Sequence, residues 1–164
     1  MRSIGAVAIL TAIACAGCAH QPSTVVVGGA GIRACVTNPQ SSTYAVIVPV
    51  QNFSDSAIVI DSITPSNVQG GTFIESRIVS QRTDGSEPAL ANASVGFVAD
   101  IAGYDDAPDV AGTELAAGAQ IKVAVAVRPT AAESAIAGVT AEFAGDVARS
   151  TIVVWSNNET CGGD

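Results

Sequence analysis

The chain has 164 residues, with 7 basic side chains against 15 acidic ones and a formal net charge of −8. That balance lacks the electrostatic footprint of a nucleic-acid binder and argues against adhesion to anionic lipid head groups. One His and one Met leave no Met-rich copper carrier and too few imidazoles for most zinc sites.

The first element is a leader. Arg2 precedes an apolar run over residues 4–14, about as long as a signal-peptide core and too short to cross a bilayer as a helix. Small residues follow it. Ala16-Gly17-Cys18 resembles the end of the bacterial lipobox, whose usual form is Leu, two small residues, then Cys; here Cys15 stands where Leu is usual. Ala12-Ile13-Ala14-Cys15 is a second, poorer match. The resemblance implies cleavage before Cys18, a diacylglycerol on its thiol, and a partner in the membrane itself. Under that reading Cys15 leaves with the leader, and Cys35 and Cys161 remain as an even pair in an oxidising compartment. Cleavage before Cys15 would strand an odd thiol. A Cys35–Cys161 disulfide is therefore expected, with metal binding or two free thiols as the alternatives.

Residues 1–17 are thus read as the signal peptide, residues 18–43 as anchor and flexible spacer, and residues 44–164 as one folded domain. The spacer is rich in small and turn-forming residues, around Val25-Val26-Val27 and Gly28-Gly29-Ala30-Gly31. From Tyr44 the texture is β. Residues 45–52 are short and β-branched, and Pro49 points to an edge or a bulge. A polar turn at Ser54-Asp55-Ser56 leads to a second strand over 57–63. A mixed strand covers 72–80, a turn region 82–88, and a weaker strand 94–101. Residues 119–127 alternate strictly, with Ile121, Val123, Val125 and Val127 on one face and Gln120, Lys122 and two alanines on the other. Residues 136–143 and 148–155 repeat the pattern around a Gly145-Asp146 turn. Strands recurring every dozen residues, with no convincing helix, predict an all-β, Ig-like antiparallel β-sandwich of about seven strands. The expected disulfide would clip the two ends of this domain together.

The layout resembles small exported β-sandwich domains of bacterial lipoproteins. Three stretches carry the likeness: Val48 to Ile60, Leu115-Ala116-Ala117-Gly118-Ala119-Gln120-Ile121, and the closing hairpin through Trp155. It implies a fold and an envelope location, with no active site to carry over.

Candidate chemistry is sparse. Gly29-x-Gly31-x-x-Ala34 after three valines imitates a dinucleotide fingerprint, but that motif needs a following helix, and Pro39 stops one. The single His20 adjoins the anchor, so the body lacks Ser-His-Asp and Cys-His pairs. Lys122 could activate a Ser, yet its place on the polar side of a regular strand suits a solvated surface residue. The best remaining cluster is the acidic stretch Asp100, Asp105, Asp106, Asp109 and Glu114, interspersed with Gly103, Pro108 and Gly112. Hard oxygen donors in a flexible loop suit Ca²⁺, with Asp105, Asp106 and Asp109 as candidate ligands, although no EF-hand spacing is present. A glycosidase acid/base pair would need aromatic sugar platforms, and only Tyr104 is near. The Asn52, Asn92 and Asn158 sequons are chance in a bacterial lipoprotein. The expectation is a non-enzymatic envelope lipoprotein with no cofactor, presenting loops or a sheet edge to a protein or cell-wall partner. The alternative is an accessory ligand- or Ca²⁺-binding subunit.

Overall fold

Strict alternation of branched residues decides the central pairing of the fold. In the computed structural model, which describes residues 24–37, 42–82, 93–157 and Cys161, strand β8 (Gln120–Pro129) pairs along its length with β3 (Tyr44–Asn52). Val46, Val48 and Val50 meet Val125, Val123 and Ile121 in register. All six are fully buried, and each such side chain contributes about 1.5–3 kcal/mol of transfer free energy.

The other strands follow from this pair. Strands β1 (Val25–Val27) and β5 (Gly71–Arg82) complete a sheet in the order β1-β3-β8-β5, and β6 (Ser94–Phe97) adds to the far half of β3. A second sheet runs β11 (Asp146–Ser150), β10 (Gly138–Phe143), β4 (Ile58–Ser66), β7 (Thr113–Leu115). One hydrophobic core joins the inner faces of both. Lettered in chain order, β1, β3, β4, β5, β8, β10 and β11 give sheets A-B-E-D and G-F-C, the strand order of an immunoglobulin constant-type sandwich. Six of these seven answer to strands that the spacing predicts; β1 falls in the expected spacer, and the strand expected over 94–101 is β6, outside the seven. The accessory strands are β6, β7 and a third sheet, β2 (Arg33–Thr37), β12 (Val153–Asn157), β9 (Glu133–Ile136).

Several expectations need correction. The stretch read as a spacer over 18–43 contributes β1 and β2 to the folded body, so the domain starts well before residue 44. Short runs of Val and Ile-Arg-Ala-Cys-Val look weak alone; they become strands because β3 and β12 offer unpaired edges. Strand β2, not a helix, follows Gly31, which removes the fingerprint reading. Gly29 is required by packing: at φ +87° an added Cβ would lie 2.6 Å from that of Ala93. Pro49 marks neither an outer edge nor a bulge. Its carbonyl accepts from Gly28 on the β1 side, so its missing N–H falls in the gap between β1 and β6, where no ladder bond is owed. The runs 136–143 and 148–155 each divide. The chain leaves the third sheet after Ile136 and enters the second at Gly138, then crosses back between Ser150 and Val153.

The ends of the body are tied as expected. Cys35 on β2 forms a disulfide with Cys161, closing a separation of 126 residues. The β2–β12 pair that it secures is the parallel one, in an otherwise antiparallel structure. Cys18, His20, Asn92 and Asn158 lie outside the described residues.

Candidate functional site

The acidic stretch is a cover, packed on the outer face of the first sheet. Ala45, Ala124 and Ala126 point outward from β3 and β8, and their small side chains let a segment lie close. Tyr104 packs on these alanines with Val98 and Ile101. The two alanines expected to face solvent beside Lys122 are therefore buried.

Arg77 on β5 staples this cover. Its Nε and Nη2 donate to Glu75 Oε2 at 2.9 and 2.7 Å, and its Nη1 donates to the Ala107 carbonyl at 2.9 Å. The Asp109 carboxylate stands 3.5 Å from Nε, and the Ile78 amide donates to the Pro108 carbonyl. Asp109 is thus committed to an arginine, while Asp105 and Asp106 are exposed on a turn and Glu114 lies on β7. Among the described residues no three His, Cys, Asp or Glu side chains are gathered as a metal site. The structure does not bring Asp105, Asp106 and Asp109 together. The Tyr104 hydroxyl is buried beside the Glu75 carboxylate, with no contact that meets strict hydrogen-bond geometry. Burial, then the nearby negative charge of Glu75, pushes its pKa up to about 12.

Asn52, read above as a chance sequon, is an internal strut. Its amide nitrogen donates to the carbonyls of Ser56, Leu115 and Ala116, and its oxygen accepts from the Ser54 amide and hydroxyl. One fully buried side chain thereby closes the β3–β4 turn and fixes the approach to β8.

An open cleft lies on the third sheet, and another of about 510 Å³ lies beside Asp100 and Asp105. Gln69 bridges to β9 through reciprocal bonds with Ala135, and the next residue, Gly70, accepts from the Thr130 and Ala131 amides ahead of β9. Gln69 and Gly70, with Glu133, Ser134, Ala135, Trp155 and Ser156, line the first cleft, of about 520 Å³. Gly70 is obligatory: φ is +56°, and a Cβ there would collide with the Glu133 carbonyl. Trp155 is the only tryptophan of the chain and is 37% exposed. On its β2 side Arg33 stands 5.9 Å from the ring centroid, a cation–π contact. On its β9 side the register neighbour is Ala135, too small to cover the indole.

Beneath the cleft runs a chain of hydroxyls. Tyr44 Oη lies 3.3 Å from Ser134 Oγ, which lies 2.8 Å from Ser156 Oγ. Both serines are 2% exposed. Burial raises the Tyr44 pKa, keeping the phenol protonated as a donor.

The alternation expected over 148–155 holds at its end, where Trp155 lies on the face opposite the buried Ile152 and Val154. Sequence reasoning missed Gln69, Gly70, Glu133, Ser134 and Ser156, which lie on segments far apart in the chain. A lone Trp on the outward side of a strand was the available signal. Comparison of the chain with protein-family models, curated proteins and solved structures finds no match.

Proposed function

We propose that the chain is an envelope lipoprotein, held at the outer side of a membrane by lipid on Cys18, whose sandwich is a non-enzymatic binding module for a protein or cell-wall partner. The observation that carries the binding reading is the Trp155 cleft, where an exposed indole sits among polar groups on an otherwise well-packed body. The Cys35–Cys161 bond supports an oxidising address. No described cluster supplies a nucleophile with its base, and the acidic stretch is engaged in packing.

Radiolabelled palmitate fed to cells making the protein tests the anchor. Label is expected on the wild type in the membrane fraction and lost in Cys18→Ser. An unlabelled wild-type chain, recovered in the cytosol with its leader intact, overturns the reading.

A further inference from the structure

We propose that the Trp155 cleft is a saccharide site, one that stacks a sugar ring on the open side of the indole and reads its hydroxyls with Gln69 and Glu133. The inference rests on the binding-module reading and names its ligand class.

The outer face of the third sheet carries it. Trp155 pairs with Ala135 and Ala135 with Gln69, so the indole, a methyl group and the Gln69 side chain lie in one row across the strands, with Glu133 two residues along β9 on the same face. Ser134 and Ser156 lie on the opposite, buried face with Tyr44, where their hydroxyls bond one another. An exposed aromatic ring beside an open row of amide and carboxylate groups suits an oxygen-rich ligand.

The walls narrow the class. Arg33 lies over Trp155 on one side, which disfavours a second cation on that ring. An anionic ligand would meet the Glu133 carboxylate and the protein's overall charge of −8. A neutral ring with an apolar C–H face and hydroxyls at its rim suits both. Gln69 offers an amide donor and acceptor, and Glu133 accepts hydroxyl protons. A volume of about 520 Å³ is in the range of small-molecule sites. The same chemistry could come from a free oligosaccharide or from a wall polymer.

The test uses the full chain with its disulfide intact, titrated with the trimer of N-acetylglucosamine and with maltotriose, sorbitol serving as an open-chain control. Purified wall sacculi, assayed by co-sedimentation, form the polymer arm. Because Trp155 is the sole tryptophan, its emission reports on the site, and calorimetry serves the variants that lack it. A saturating emission shift with one trisaccharide at about millimolar concentration is expected, with none for sorbitol. Trp155→Ala should weaken binding at least about tenfold, and exposed Gln69→Ala several-fold, both with unchanged circular dichroism. Binding to sacculi alone, lost in Trp155→Ala, would assign the polymer as the source; binding to a soluble trimer would assign a short glycan. Silence in both arms up to about 10 mM sugar overturns the proposal. So does binding that survives both substitutions, or sorbitol binding as well as the sugars. Lipid on Cys18 with no sugar binding would end the ligand assignment and keep the anchored module. Sugar binding without the lipid would do the reverse.

Discussion

Two accessory regions of this sandwich exchange the roles that their composition suggests. Residues 98–110 hold the densest carboxylates and read as a ligand loop, yet they are cladding: Tyr104, Val98 and Ile101 bury the alanine face of the first sheet, and Arg77 pins the segment down. The third sheet draws β2 from a presumed tether and β12 from the tail of a hairpin, yet it carries an open cleft and an exposed indole flanked by Gln69 and Glu133. Charge density marks where a chain is solvated; unspent hydrogen-bonding capacity beside an exposed aromatic marks where it can bind. The first region is held down by packing and by Arg77, its other carboxylates standing in solvent, while the second leaves an aromatic face uncovered.

Perturbing each region should break or sharpen this contrast. The largest effect belongs to the disulfide. Replacing Cys35 and Cys161 with Ser removes a constraint of about 4–5 kcal/mol in the chain-entropy model, read as a lower urea midpoint. A drop below about 1 kcal/mol would mean that β2 contributes little to the folded body. Next is Gly70→Ala, which forces a Cβ into the Glu133 carbonyl and should cost about 2 kcal/mol while abolishing ligand binding at the cleft. Arg77→Ala should act locally. Amide exchange at Tyr104 and Ala107 is expected to accelerate roughly tenfold, while Gln69 and Ala135 keep their protection.

One substitution made in both regions gives the smallest and sharpest comparison. Tyr44→Phe removes the phenol that hydrogen-bonds Ser134 in the buried hydroxyl cluster and should cost about 1 kcal/mol. Tyr104→Phe removes a buried hydroxyl that makes no well-formed hydrogen bond and should be neutral or stabilising by up to about 1 kcal/mol. The alkaline limb follows with the same logic. Both folded tyrosines titrate above their unfolded value of 10, because burial disfavours the phenolate. The stability they contribute is complete below pH 10 and is lost as pH climbs toward about 12 for Tyr104. Phenolate absorbance should therefore stay low at pH 10 in the native protein. Urea midpoints above that pH should fall less steeply in Tyr104→Phe.

The central architecture was legible because it is written locally. Ile121, Val123, Val125 and Val127 declare an inward face, and the Asn52 and Gly145 turns declare reversals. The outward face of β8 was misread, since Ala124 and Ala126 are equally compatible with solvent and with a cover supplied from residues 98–110. Strands β1 and β2 were hidden because their stability comes from edges donated by β3 and β12, a non-local term that a three- or five-residue run cannot show. The cleft was hidden for a related reason. Gln69, Glu133 and Trp155 meet only once the chain has crossed between sheets near Ala137 and again near Thr151. The disulfide followed from cysteine parity once the leader reading had set Cys15 and Cys18 aside.

Amide shift mapping of the labelled protein, titrated separately with N-acetylglucosamine trimer and with Ca²⁺, addresses the division of labour most directly. Saturable shifts with the trimer at Gln69, Gly70, Ser134, Ala135, Trp155 and Ser156, and no saturable shifts with Ca²⁺, are the predicted result. Saturable Ca²⁺ shifts centred on Asp105, Asp106 and Asp109, with a silent cleft, would contradict the account.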